Sequence, residues 1–208
     1  RGWALRLAEA TRRLDAGEWR AADALGIDKR NVFFVGQSRG TLTVWTALQD
    51  DMARPKSNDP IARESTRLLG AAVTVPQTSL DPKQMREWTP NSTYGGHAFG
   101  ITGDAAKKIS TFQAFFDARE RLMPWIKEYS PYELVTKDDP AVGLYFPTVP
   151  NLGKDEKDAT HSANFGVKLK EHCDEIKVPC ELVYPGAPDV QHPKEIDFIK
   201  AKLLPASK

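Results

Sequence analysis

The chain has 208 residues, 40% of them hydrophobic and 27% charged, which suits one globular domain with a sizeable buried core. Its 29 basic and 28 acidic side chains nearly cancel, and no basic block or basic-aromatic stripe occurs, which argues against nucleic acid or an anionic membrane surface as partner. No apolar run approaches the roughly 20 residues needed to cross a bilayer, so no membrane span is expected.

In chain order, Trp3, Leu7, Ala10 and Leu14 repeat at helical spacing, and a second helical piece runs to Leu25 with Gly26 placed to cap it. Ile27-Asp28 turns the chain into the strand Asn31 to Val35, and the apolar-periodic run Thr41 to Met52 predicts a helix. After the proline-bearing loop from Pro55 to Pro60, Leu69 to Val75 reads as a strand apolar enough to be buried on both faces. A short helix near Asp81 to Trp88, a loop rich in glycine and aromatics, and a longer helix from about Asp104 to Tyr129 follow. Next come the strand Ala141 to Phe146, a polar loop to Thr160, a helix from His161 to about Ile176, the strand Cys180 to Tyr184, and a helix from about Lys194 to Leu204. Strands that alternate with helices, each strand a continuous apolar run, describe an α/β fold: a parallel sheet with helices on both faces.

Between the first strand and its helix lies Gly36-Gln37-Ser38-Arg39-Gly40. A nucleophilic serine must stand clear of the sheet, which requires a sharp, strained turn from strand into helix. Its neighbours two residues away on either side, Gly36 and Gly40, must then be small enough for strand and helix to nearly touch. The helix N-terminus beneath the serine can stabilise an oxyanion, with the backbone N–H of Arg39 as one donor.

Such a serine needs a histidine to take its proton and a carboxylate to orient that histidine. In a parallel α/β sheet these groups sit on loops beyond the carboxyl ends of strands. The loop after Phe146 offers Asp155 and Asp158, and the loop after Tyr184 offers Asp189 and His192. The order Ser, acid, His resembles that of the α/β-hydrolase superfamily, within it the esterase and lipase branch that includes acetyl-xylan and feruloyl esterases. Phrases similar to Gly26-Ile27-Asp28, Ser130-Pro131 and Tyr184-Pro185-Gly186 recur there.

This resemblance implies Ser38 as nucleophile, His192 as base and Asp158 as acid, with Asp155 the alternative. Two departures stand out: Pro147, Pro150 and Gly153 lengthen the acid loop, and Pro188 to Gln191 precede His192. His161 and His172, at the start and end of one predicted helix, read as structural, and Asp158 doubles as a cap for that helix. Residues 1–208 are then one partial α/β-hydrolase domain, with a helical cap insertion over about 76–130 that carries Tyr94 and His97 as possible substrate contacts.

The family's second oxyanion donor comes from a glycine-rich loop after an earlier strand, whereas the residues before Ser38 read as helix. The resemblance therefore implies the carboxyl-terminal portion of the fold, amino-terminally truncated, with its elbow strand at a sheet edge. The expected function is a serine hydrolase cleaving a carboxylic ester of a small molecule or carbohydrate, with no cofactor. A peptidase resembling the prolyl oligopeptidases and a catalytically silent binding domain are the alternatives. Cys173 and Cys180 read as free thiols more readily than as a disulfide, and with His97, His161, His172 and His192 scattered no metal site is expected. Neither a compartment nor an oligomeric state is assigned.

Overall fold

The computed structural model describes residues 24–26, 28, 31–38 and 41–203. The helices expected before Ala24 lie outside the described residues. Ala24 and Leu25 are helical, and Gly26 follows at φ 68, the left-handed conformation of a glycine that ends a helix.

Among the described residues, four strands, β1 (Phe33–Gln37), β2 (Gly70–Thr74), β3 (Ala141–Tyr145) and β4 (Cys180–Val183), form one parallel sheet in the order β1-β2-β3-β4. The register aligns Val35, Ala72 and Gly143 across the first three strands, with Glu181 opposite Gly143 on the fourth. Alternation along the strands then sends Ala71, Val73, Val142 and Leu144 to one face. There they pack with α1 (Thr41–Ala47), α6 (Asn164–Ile176) and the helices between β2 and β3. On the other face, Ala72 and Tyr145 meet Phe198 of α7 (Glu195–Leu203). Every residue of β2 from Gly70 to Val73 is buried, as its run of small and apolar side chains predicts.

Between β2 and β3 lie α2 (Pro82–Trp88), α3 (Thr111–Asp117), α4 (Arg119–Tyr129) and the short α5 (Pro131–Leu134). Asp81 caps α2 by accepting from Lys83 N–H at 2.8 Å, and Pro82 occupies the first turn, where its missing N–H costs nothing. The Asp81 carboxylate also receives the Arg119 guanidinium as a fork, Nε and Nη2 each at 2.7 Å, which pins α4 to the start of α2.

The single helix expected from Asp104 to Tyr129 is two. Asp104 to Ile109 closes instead as a tight bridge with Lys108 at φ 55, and Ser110 caps α3. At its far end, the Ala118 N–H is shared by the carbonyls of Ala114 and Phe116, tightening the last turn.

The elbow helix also ends early, at Ala47 rather than Met52. Asp51 draws the chain into a loop by accepting from Ala53 N–H, Thr66 N–H and Ser65 Oγ. Close approach of α6 to the sheet depends on Gly166, where a Cβ would fall 2.3 Å from the Phe146 ring.

Candidate active site

Ser38 follows β1 directly, at φ 55, a left-handed conformation that costs a non-glycine residue on the order of 1 kcal/mol. Its N–H donates to the Thr74 carbonyl at 2.9 Å, and its carbonyl accepts from Thr41 N–H at 3.1 Å, so the turn is held from the sheet and from the first residue of α1. These bonds hold the serine in its strained conformation.

His161 Nε2 lies 2.8 Å from Ser38 Oγ, and His161 Nδ1 lies 2.8 Å from Asp158 Oδ2. An ionised carboxylate only accepts, so Nδ1 carries the proton and a neutral ring is left with Nε2 to accept from the serine hydroxyl. The other Asp158 oxygen accepts from the N–H groups of Thr160 and His161, both at 3.2 Å, so one turn fixes acid and imidazole relative to each other. The hydrogen bond from His161 pulls the Asp158 carboxyl below its ordinary value of 3.8, against a smaller opposing effect of desolvation. Beside these groups opens a cavity of about 620 Å³, lined among others by Gln37, Thr74, Tyr145, Phe146 and Pro193.

No family model matches the sequence, and no curated protein matches it. Among solved structures, the chain is similar to an acetyl ester-xyloside bifunctional hydrolase from Caldicellulosiruptor lactoaceticus, with a TM-score of 0.54 and 15% identity over 83% of this chain and 52% of that one. A truncated carbohydrate esterase from gut microbiota gives a TM-score of 0.56 at 15% identity, over 89% of this chain and 64% of that one. A sugar hydrolase from Lactococcus lactis gives 0.53 at 15% identity, over 99% and 64%. The chain has the α/β-hydrolase fold. It spans 52% to 64% of the length of these α/β-hydrolase neighbours.

The histidine within hydrogen-bond reach of Ser38 Oγ is His161, not His192, which the resemblance implied. His192 does follow the last strand, but its Nδ1 lies 2.6 Å from Glu181 Oε2 and its ring meets Phe198 edge to face. Glu181 Oε1 accepts from Gln191 N–H at 2.9 Å and His192 N–H at 2.6 Å, and the His192 carbonyl accepts from Tyr145 Oη. These bonds hold His192 at a groove along β4, and His192 does not line the Ser38 cavity, although Pro193 beside it does. Burial pushes the Glu181 carboxyl up, but the bonds from His192 and Gln191 outweigh it and leave the group below its ordinary 4.5.

His161, expected as the first residue of a structural helix, lies instead in the loop, because α6 starts three residues later at Asn164. Asp158 accordingly caps a loop turn and not the helix. The signal for this arrangement was present as Asp158-x-x-His161, a spacing that lets one turn bring carboxylate to imidazole.

Gly36 lies in β1 opposite Val73. Arg39 and Gly40 lie outside the described residues. Asp155 is exposed and does not line the Ser38 cavity. Nor do Tyr94 and His97, which pack edge to face on each other at 5.0 Å beside the core of the β2–β3 segment. His172 stacks on Tyr132. Cys173 and Cys180 are free thiols. Among the described residues, no group of three His, Cys, Asp or Glu is disposed to hold a metal, and no helix is long and apolar enough to cross a membrane.

Proposed function

We propose that this chain carries the catalytic site of a serine hydrolase that cleaves a carboxylic ester through an acyl-enzyme. The observation that carries the proposal is the unbroken relay from Ser38 Oγ to His161 to Asp158, with both links at 2.8 Å. Ser38 attacks the ester carbonyl while His161 Nε2 takes its proton, and Asp158 holds the Nδ1–H tautomer and stabilises the imidazolium. His161 then returns the proton to the leaving alcohol, and a water activated by the same nitrogen releases the acid. The backbone N–H of Arg39, next in sequence to the nucleophile, is the proposed oxyanion donor.

The names of the structural neighbours, an acetyl ester-xyloside hydrolase and a carbohydrate esterase among them, support an acylated carbohydrate as substrate. Labelling by a fluorophosphonate probe tests the proposal. Wild-type protein reacts, whereas Ser38→Ala does not; labelling that survives the substitution removes Ser38 as nucleophile. Turnover of an acyl ester against its matched amide then separates esterase from peptidase.

A further inference from the structure

β2 leaves the sheet through Val75, a β-branched residue at φ 49. β-branched side chains are genuine outliers in this region, so tertiary contacts must hold the turn. One is the bond from Val75 N–H to the Tyr145 carbonyl at 2.8 Å.

Two residues on, Gln77 is 1% exposed, and a carboxamide so buried must find partners for its donors and acceptor. Gln77 Nε2 donates to the Thr160 carbonyl at 2.9 Å and to the Val75 carbonyl at 3.3 Å, while Oε1 accepts from Thr41 Oγ1 at 3.2 Å. Its backbone N–H donates to Thr41 Oγ1 at 2.9 Å. One partner is thus the first residue of the elbow helix, whose N–H binds the Ser38 carbonyl, and another is the residue that precedes His161.

The bonds that Asp158 makes to Thr160 and His161 are internal to their turn. They shape it without placing it against the elbow. The bond from Gln77 to Thr160 does place it.

We propose that Gln77 is a positioning residue, whose carboxamide ties the His161 turn to the nucleophile elbow and so sets the separation of His161 Nε2 from Ser38 Oγ. The proposal rests on the Ser38–His161–Asp158 reading. Gln77 touches no substrate; the strained turn at Val75 delivers it to a point between the two segments. A displacement of about 1 Å between reacting groups is enough to cost on the order of 100-fold in rate.

Gln77→Met keeps the length of the side chain and removes its donors and acceptor, and Gln77→Glu keeps an acceptor but removes the donor to Thr160. Both are expected to lower kcat by about 10- to 100-fold with KM within about twofold. Nitrogen shifts of the imidazole rings, read through their carbon-bound protons, supply a measure independent of turnover. In each variant the His161 Nε2 shift should move toward its value in Ser38→Ala, while the His192 shifts, fixed by Glu181, stay in place as an internal reference.

Unchanged kcat with unchanged His161 shifts would overturn the proposal. So would a joint change at His161 and His192, or failure of both variants to fold, each of which marks a purely structural role. If Ser38→Ala were still labelled by fluorophosphonate, the catalytic reading would fall while the His161 shifts still decided whether Gln77 holds the turn.

Discussion

Replacing His161 and His192 in turn separates the two histidine assignments. His161→Asn removes the nitrogen that faces Ser38 Oγ at 2.8 Å. A positioned general base contributes about 10²- to 10⁴-fold, which at 1.36 kcal/mol per decade is about 3 to 5 kcal/mol of barrier. His192→Asn removes a ring from Glu181 but leaves the Gln191 and His192 N–H groups on that carboxylate. The expected loss is about 1.5 to 3 kcal/mol of folding stability, the range for a hydrogen bond to a charged group, with turnover within about threefold of wild type. Initial rates on an aryl acetate, corrected for the folded fraction from a urea titration, measure both. Retained turnover in His161→Asn together with loss of two or more decades in folded His192→Asn would refute the assignment.

Asp158→Asn should reverse the His161 tautomer and lower kcat by about 10³- to 10⁴-fold, while Asp155→Asn, at an exposed position off the cavity, leaves kcat unchanged; steady-state kinetics on the pair decides between them. Ser38→Gly and Ser38→Ala both lose the bond to His161, but only glycine relieves the φ of 55, so the glycine variant should be more stable by about 1 kcal/mol in denaturant unfolding. Burial pushes the Asp51 carboxyl up, but its bonds from Ser65, Thr66 and Ala53 outweigh this and leave it below its ordinary 3.8. Its contribution is therefore present above that value and lost as pH falls through the lower native one. The gap in thermal midpoint between wild type and Asp51→Ala should stay constant from about pH 8 to 5 and close only below about pH 4.

Much of the fold was legible because each strand is a short apolar run and each helix carries a periodic face. β2 and α2 match their sequence signals nearly residue for residue, down to the Asp81-Pro82 start. The strained serine was legible too, since a sharp turn out of the strand demands it, and Ser38 takes φ 55 directly after β1. The histidine that faces Ser38 was not. His161 extends the periodicity of α6 backwards, and only tertiary bonds break it: Asn164 spends its side chain on the Trp88 carbonyl, Thr89 Oγ1 and the Asn151 backbone, which fixes where the helix begins. His192 stands where the resemblance implied a base, yet Glu181, eleven residues earlier, holds its ring at the groove along β4. A partner across a strand and a loop leaves no mark in local pattern. Gln77 was equally silent, because its three side-chain partners come from three different segments.

The turn that joins Asp158 to His161 has a consequence for how such a site can change. When acid and base ride on separate loops, drift of either strand misaligns them. In the proposed site both are carried on four consecutive residues, so their mutual geometry is inherited as one cassette and only its docking against the elbow must be maintained. Under the proposed assignment, the loop after β4 supplies neither acid nor base, and only Pro193 near its end lines the Ser38 cavity. Insertions between Pro185 and Gln191 become a route to remodelling the neighbouring groove without retuning the nucleophile.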